Sequence, residues 1–241
     1  MKKYLKSDYE MGGFEEHQVE FPKHLLVCSG TGGGKTNWLL NYLKLSAKSS
    51  GTFGHVTIVC KQIEPAYEMI QEKLKDNFTL YTALSQLPKL NDFGHKECQQ
   101  LLVLDDCVAN KDQSRIEEYF LRARKHGQGV QCIYISQSFF KTPTFIRNQI
   151  SYLILLTLSN DSDLKRIMSG YSMGIDKEVL LKIFKNAVKE RLCAFKINIG
   201  NPNLNEKFSR NFTDFYTLVD EEGDLLPIDK IQLFQNGGLL N

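Results

Sequence analysis

The sequence lacks the features of a membrane protein and of a disulfide-rich protein. Its longest apolar run, at 152–156, is five residues long, whereas a membrane helix needs about 20. The first ten residues contain no apolar signal-peptide segment. None of the six cysteines shows Cys-x-x-Cys spacing or a histidine pattern typical of zinc. We therefore expect a soluble, intracellular protein with small buried cysteines and without disulfides or structural zinc.

An excess of charge of one sign is also missing. Lysine and arginine total 30 and aspartate and glutamate 28, a net charge of +2, so a nucleic-acid surface would have to be local. Repeats and low-complexity tracts are absent as well. A length of 241 residues with 42% hydrophobic residues suits one globular domain with appendages. We expect an N-terminal arm at 1–20, a core at 21–200 and a C-terminal extension at 201–241.

A phosphate-binding loop is the clearest motif that the sequence contains. An apolar run at 24–28 leads into Ser-Gly-Thr-Gly-Gly-Gly-Lys-Thr, and an apolar-periodic segment comes next. Glycines let consecutive N–H groups turn toward phosphate, and the positive end of the next helix favours the same anion. The usual pattern has glycine where the small Ser29 stands, and the alternative is a glycine-rich surface turn. The predicted ATP-binding residues are Ser29, Gly30, Thr31, Gly32, Gly33, Gly34, Lys35 and Thr36.

The order of the predicted elements indicates an α/β fold. Strands are predicted at 24–28, 55–60, 100–104, 130–135, 152–158 and 192–199. Helices are predicted from residue 37 onward and at 64–76, 113–126, 161–168 and 177–189, and the irregular stretch at 78–98 is expected to be an insertion. Alternating strands and helices predict a mostly parallel sheet with helices on both faces. Ligands of such sheets bind at the carboxyl ends of the strands.

Three polar residues come directly after predicted strands at that edge and complete a hydrolytic site. Asp105 is suited to hold Mg²⁺ together with the Thr36 hydroxyl, and Lys35 to reach the β- and γ-phosphates. Asp106 is a candidate to polarise the attacking water, a role more often given to glutamate. Gln137 is a candidate to bind the γ-phosphate or that water. The alternatives are a turn or helix cap for the two carboxylates and a plain loop amide for Gln137.

Cationic residues cluster on the predicted helix at 113–126. Arg122, Arg124 and Lys125 can form an arginine finger that reaches the γ-phosphate of a neighbouring subunit, a DNA-contacting surface, or only the solvated face of a helix. Charge alone favours the solvated face. The same ambiguity applies to Arg147.

The ordered set of motifs resembles the viral genome-packaging ATPases, the poxvirus-type branch of the FtsK/HerA superfamily. The resemblance covers roughly residues 20–160. Its motifs are the loop, Leu-Val-Leu-Asp-Asp at 102–106, Arg-Ala-Arg-Lys-His at 122–126, Ile-Ser-Gln-Ser at 135–138 and Ile-Arg-Asn at 146–148. The resemblance implies a RecA-like (ASCE) P-loop core, a ring oligomer that is often a hexamer, and ATP-driven movement of double-stranded DNA into a capsid. It also makes Arg124 the first candidate for the trans-acting finger, ahead of Arg122 and Arg147, although in the family arginine directly precedes histidine and here Lys125 intervenes.

Three functions remain open from the sequence. The first is a DNA-translocating motor that uses ATP and Mg²⁺, binds capsid or portal and vertex proteins, and works in the host cytoplasm or viral factory, with or without association with the virion. The second is a nucleotide-dependent switch or assembly protein. The third is a small-molecule kinase, for which 78–98 offers no recognisable acceptor lid.

Overall fold

The computed structural model describes residues 14–47, 53–110, 112–158, 160–172, 174–235 and 238–239. Most of the predicted N-terminal arm therefore lies outside the described residues. The strands are β1 (Leu25–Cys28), β2 (His55–Cys60), β3 (Phe78–Tyr81), β4 (Gln100–Asp105), β5 (Val130–Ser136), β6 (Tyr152–Leu155), β7 (Phe195–Asn198), β8 (Phe208–Arg210), β9 (Asp214–Thr217), β10 (Gln232–Gln235) and β11 (Gly238–Leu239). The helices are α1 (Phe14–His17), α2 (Lys35–Ser46), α3 (Pro65–Leu74), α4 (Ser114–Arg122), α5 (Thr144–Gln149), α6 (Asp161–Tyr171) and α7 (Lys177–Ala187).

Six strands form the parallel half of a single sheet, in the order β3-β2-β4-β5-β1-β6. All residues of β1, β2, β5 and β6 are buried, because helices cover both faces of a parallel sheet and leave no side to water. The predicted α/β fold with a mostly parallel sheet is confirmed. Strand β5 separates β1, which leads into the phosphate loop, from β4, which ends in Asp105.

Five further strands extend the sheet beyond β6 in antiparallel fashion. Strand β7 pairs with β6, and β8, β9, β10 and β11 are added in chain order. Of these, the sequence predicts only β7, within the strand expected at 192–199. Strands β8 to β11 are two to four residues long, too short for their alternation to be recognised in a polar segment. They lie in the predicted C-terminal extension, whose boundaries remain a prediction.

Two hydrophobic cores lie on the two faces of the sheet. Helices α2 and α3 pack on one face, where Trp38, Tyr42 and Tyr67 join the buried side chains of β1 and β2. Helices α4 to α7 pack on the other face around Leu102 and Leu104 of β4. No helix among the described residues is both long and apolar enough to cross a membrane.

In the parallel half, β3 and α5 are missing from the sequence prediction, and β6 and α4 are among the elements that end earlier than predicted. Strand β3 lies inside the stretch at 78–98 predicted to be irregular, and α5 lies between the strands predicted at 130–135 and 152–158, where no helix is predicted. Strand β6 ends at Leu155, and two residues later the carbonyl of Thr157 accepts a hydrogen bond from Ser29 of the phosphate loop. Helix α4 ends at Arg122, where a 3-10 turn begins.

The parallel half of the sheet has two edges that carry different sets of polar residues. We call the edge where the parallel strands begin the amino edge, and the edge where they end the carboxyl edge. Strand β5, with seven residues, separates the two edges by about 20 Å at roughly 3.3 Å per residue. Each predicted site residue can therefore be assigned to one edge or the other.

Candidate functional site

The phosphate loop is fixed between the two strands that flank β1. The N–H of Ser29 donates to the carbonyl of Ser136 at the end of β5, at 3.2 Å. On the other side, Ser29 Oγ and the N–H of Gly30 both donate to the carbonyl of Thr157, at 3.0 and 3.2 Å. Hydrogen bonds from one short segment to both neighbours hold the start of the loop in place.

Two glycines in the loop are required by its geometry. A Cβ on Gly33 would collide with Ser29 Oγ, so the serine that departs from the usual pattern is accommodated by the glycine opposite it. Gly34 has φ +94°, a left-handed conformation that an L side chain rarely adopts. The loop therefore turns into α2 immediately before Lys35.

Lys35 lies within the turn of the loop. Its Nζ donates to the carbonyl oxygens of Ser29 and Gly30, both at 3.1 Å. Helix α2 begins at this residue and has no acidic residue in its first turn. The positive end of the helix dipole and the ammonium group therefore face the same space, which favours an anion there.

Asp105 is half-buried at the end of β4 and bound by a tyrosine from α3. Tyr67 is fully buried, and its hydroxyl donates to Asp105 Oδ2 at 2.5 Å. Burial raises the pKa of Asp105 above its ordinary value, while the Tyr67 hydrogen bond and the charge of Lys35 oppose that rise. The tyrosine thus fixes one carboxylate oxygen and leaves the other available to the site.

A chain of three side chains links the loop to the second carboxylate. Thr31 Oγ1 donates to Gln137 Oε1 at 3.1 Å, and Gln137 Nε2 donates to Asp106 Oδ2 at 3.4 Å. Asp106 has φ +51°, and its N–H donates to the carbonyl of Ile135 in β5 at 3.1 Å. The exposed amide of Gln137 therefore contacts both the loop and the carboxylate.

The structure brings these predicted residues together around one cavity of about 620 Å³, which we call the phosphate cavity. Its walls include the loop, the two carboxylates and Gln137. Sequence reasoning missed three further residues in its lining: Lys61, Gln62 and Glu64. Lys61 and Gln62 come directly after β2, which ends at the carboxyl edge beside β4. The rule that identified Asp105 therefore applied to them as well. Glu64 is the N-cap residue of α3, and its side chain makes no capping hydrogen bond.

Arg122, Arg124 and Lys125 lie at the amino edge. Arg124 and Lys125 belong to the 3-10 turn that precedes β5. Burial, with a smaller contribution from the charge of Arg124, lowers the pKa of His24, just before β1, to about 3. The length of β5 lies between this cluster and the phosphate cavity of the same chain. Arg124 is exposed, so it is accessible to another molecule and too far away to reach its own cavity.

Arg147, on α5, is held by local contacts. Its Nε donates to the carbonyl of Thr142 at 3.1 Å, and its Nη2 donates to Thr144 Oγ1 at 2.9 Å. The guanidinium lies 5.0 Å from the ring centroid of Phe139. Its charge contributes to lowering the pKa of Cys28, although burial dominates and raises that pKa to about 12. Because Cys28 ends β1, Arg147 lies nearer the carboxyl edge than Arg124 does.

Comparison with known proteins connects this geometry to a family. The profile of the poxvirus A32 protein matches residues 14–199. Among curated proteins there is no match. The genome packaging NTPase B204 from Sulfolobus turreted icosahedral virus 2, solved in complex with AMPPCP, is 15% identical, with a TM-score of 0.53 over 80% of this chain and 98% of that one. B204 from Sulfolobus turreted icosahedral virus, described as a DNA-packaging ATPase, gives 13% identity and 0.51 over 79% and 97%. These structures support the fold. The chain belongs to the poxvirus A32 protein family and is a P-loop ATPase of the FtsK/HerA type.

Proposed function

We propose that this ATPase moves double-stranded DNA, and that it packages a viral genome into a capsid. The observation that carries the proposal is the separation of two sets of charged groups. The phosphate cavity gathers two lysines, three carboxylates and two amides at the carboxyl edge, and Arg122, Arg124 and Lys125 lie at the amino edge. A ring places one subunit's amino edge against the next subunit's carboxyl edge. The B204 structures described as packaging enzymes support this interpretation.

The loop residues 29–36 are proposed to hold the triphosphate of ATP. The N–H groups of the loop and of the first turn of α2 surround the phosphates, and Lys35 exchanges its carbonyl contacts for the β- and γ-phosphate oxygens. The B204 complexes with AMPPCP and ATP-γS support a triphosphate in this fold. In this mode of binding, Lys35 is sufficient as the cationic side chain of the loop.

Magnesium fits the oxygen donors at the floor of this cavity. The Thr36 hydroxyl and the free oxygen of Asp105 are hard ligands, and Mg²⁺ binds through one or two protein oxygens plus substrate phosphates and water. No group of three or more histidine, cysteine, aspartate or glutamate side chains suited to a metal occurs within the described part of the chain. When bound, the ion neutralises charge on the β- and γ-phosphates.

Asp106 is proposed to polarise the attacking water, and Gln137 to orient it or to bind the γ-phosphate. Their hydrogen bond places both groups on the same side of the loop. Glu64 brings a third carboxylate to the cavity. The proton of the water passes to a carboxylate oxygen as the phosphoryl group is transferred.

Arg124 is proposed to complete the site of a neighbouring subunit, with Arg122 and Arg147 as the other candidates. An arginine supplied in trans stabilises the charge of the transferring phosphoryl group and is worth about 10³–10⁵ in rate where it has been studied. The test mixes Arg124→Ala chains with Lys35→Ala chains. Partial recovery of ATP hydrolysis is expected because each defect lies on a different side of the shared site. A strictly additive loss would contradict the trans role.

The proposed motor function is tested by measuring ATP hydrolysis with and without duplex DNA. Long duplex DNA should raise the ATPase rate of the assembled protein several-fold, and the stimulation should fall as salt rises, because phosphate contacts release counterions. Lys35→Ala is the control that identifies the hydrolysing site. An unchanged rate with DNA would favour a nucleotide-dependent assembly switch. Capsid or portal proteins are the proposed partners, and the host cytoplasm or viral factory is the proposed location, with or without association with the virion.

A further inference from the structure

A second cavity opens on the opposite flank of the phosphate loop. It has a volume of about 540 Å³, within the range of roughly 300–1,000 Å³ typical of small-molecule sites. Its walls are the loop at 30–33, Thr157 after β6, and the turn between α7 and β7 that carries Arg191 and Leu192. We call it the flank cavity. It shares Thr31 and Gly32 with the phosphate cavity, so the two cavities lie on either side of the same loop.

Leu192 is held in an unfavourable conformation at the wall of this cavity. Its φ is +69°, which is sterically poor for a bulky L residue, and 43% of its surface is exposed. Hydrogen bonds on the turn maintain this conformation: the N–H of Cys193 donates to the carbonyl of Glu190 at 3.2 Å, and the N–H of Ala194 donates to Asn211 Oδ1 at 3.0 Å. Strain of this kind persists where the surroundings enforce it, and it clusters at ligand sites.

Leu192 also lies against the last glycine of the loop. A Cβ on Gly34 would lie 2.7 Å from Leu192 Cδ2, so the leucine reaches the point where the loop becomes α2. The carboxylates and Gln137 assign the γ-phosphate to the phosphate cavity. Because the phosphates are bound along the loop, the other end of the nucleotide must leave the loop elsewhere. The flank cavity opens on the other side of the loop.

We propose that the flank cavity binds the base and ribose of the nucleotide, with Leu192 packed against the base. This inference rests on the proposed ATP site. The exposed leucine offers an apolar surface to a planar aromatic ring, and the Arg191 guanidinium can stack on such a ring or donate to the ribose hydroxyls. A bare anion would not need an apolar wall. Arg191 and Leu192 are therefore assigned to recognition of the nucleoside, separately from the groups that bind phosphate.

The test compares ATP with inorganic tripolyphosphate, which carries the phosphates without the nucleoside. Affinities of the full chain for both ligands are measured by calorimetry. Leu192→Gly removes the side chain and suits the left-handed backbone, so it should raise the Kd for ATP about 10-fold, the lower end of what a buried leucine contributes. The Kd for tripolyphosphate should stay within about 2-fold. Leu192→Met, which keeps an apolar side chain, should retain most of the affinity for ATP.

Arg191 is tested beside a matched neighbour. Arg191→Ala should raise the Kd for ATP several-fold and leave tripolyphosphate binding unchanged, whereas Lys189→Ala, which removes an exposed charge two residues away, should change neither. An equal loss of affinity for ATP and tripolyphosphate in the Leu192→Gly or Arg191→Ala variant would overturn the proposal. The turn would then contribute to phosphate binding or to the conformation of the loop.

Two further outcomes separate this proposal from the ATP site itself. Unchanged ATP affinity in both variants, with slower hydrolysis only in the assembled protein, would overturn the nucleoside role and assign the cavity to a side chain of a neighbouring subunit. Lys35→Ala should weaken the binding of both ATP and tripolyphosphate. A wild-type chain that binds neither ATP nor tripolyphosphate would refute the proposed function rather than the position of the base.

Discussion

Two lysines in the two halves of the sheet make similar contacts and differ in their access to water. Lys35, beside the parallel half, donates to two main-chain carbonyls of its own loop. Lys196, on β7 where the antiparallel half begins, donates to the carbonyls of residues 17 and 18 and of Phe212. Lys35 lines the phosphate cavity, whereas Lys196 is 1% exposed.

Both lysines donate to main-chain carbonyls, so the type of acceptor does not distinguish them. Their access to a ligand determines their role. An ammonium at a cavity can exchange its carbonyl partners for phosphate oxygens. A buried ammonium cannot, and its three bonds join the end of α1, the next residue and the turn before β9 to the sheet. We therefore expect changes at the first lysine to affect catalysis and changes at the second to affect stability.

The largest effect is expected for Lys35→Ala. Loss of an ammonium that stabilises phosphoryl charge should lower ATP hydrolysis by about 10²–10³ or more. The midpoint of urea unfolding should stay close to that of the wild type, because the lysine is only half-buried. Steady-state hydrolysis and unfolding are measured on the same preparation. Full activity in this variant would remove the assignment of the loop.

The carboxylates of the phosphate cavity provide a second test of the catalytic role assigned to the surroundings of Lys35. Asp106→Asn should lower kcat by about 10², the lower end for a group that accepts a proton in the rate-limiting step. Glu64→Gln should lower it less than about 10-fold if Glu64 only adds charge to the cavity. Both variants should keep their affinity for ATP, as measured by calorimetry. The reverse order of effects would transfer the water-polarising role to Glu64.

Lys196→Met tests the structural side. At pH 9 the buried amine is neutral and has two N–H donors. Its removal leaves buried carbonyls without a donor, so the free energy of unfolding should fall by about 1–3 kcal/mol. ATP hydrolysis per folded molecule should be unchanged. Denaturant unfolding and activity of the folded fraction are the measurements, and a selective loss of kcat would contradict the distinction between the two lysines.

The same variant should change the pH dependence of stability. Burial lowers the pKa of Lys196 to about 7 in the folded chain, compared with about 10.4 in an unfolded one. Between these values the unfolded state binds the extra proton, so wild-type stability should rise from pH 7 to pH 9. The gain should be lost as the pH falls from about 10 to 7, and below pH 7 Lys196 should add no further pH dependence. Lys196→Met should remove that rise.

An effect confined to the Mg²⁺ requirement is expected for Tyr67→Phe, a buried change that acts on the site through Asp105. Without the hydroxyl, the carboxylate loses its orienting donor, and the Mg²⁺ concentration for half-maximal hydrolysis should rise about 10-fold, the lower end for residues that orient a metal ligand. kcat at saturating Mg²⁺ should change little. An unchanged requirement for Mg²⁺ would limit Tyr67 to packing of the core.

The parallel half of the molecule was predictable from the sequence because burial on both faces leaves a strong signal. Strand β6 is apolar throughout and β4 contains an unbroken apolar run at 101–104, and the carboxyl-edge rule identifies Asp105, Asp106 and Gln137 from the sequence alone. Glu64 stands four residues beyond the end of β2, at the N-terminus of α3, so the sequence does not mark it as a residue of the same edge.

The flank cavity and the buried Lys196 leave no comparable pattern in the sequence. Leu192 looks like an ordinary strand residue in sequence, because its left-handed backbone is imposed by a turn whose hydrogen bonds come from distant residues such as Asn211. Lys196 interrupts an apolar run, and its carbonyl partners lie 16 to 179 residues away along the chain. Contacts that depend on tertiary structure in this way cannot be read from local patterns.

The position of Arg124 at the amino edge has a consequence for how the protein assembles. A contact between opposite edges of identical chains is heterologous: under the trans role proposed for Arg124, each chain gives an arginine to one neighbour and receives one from the other. Such contacts close into a ring only when the rotation between neighbours divides a full turn, and otherwise continue as a filament. Under this arrangement an isolated dimer holds a single complete site. The specific activity per chain should therefore rise with protein concentration until the ring closes.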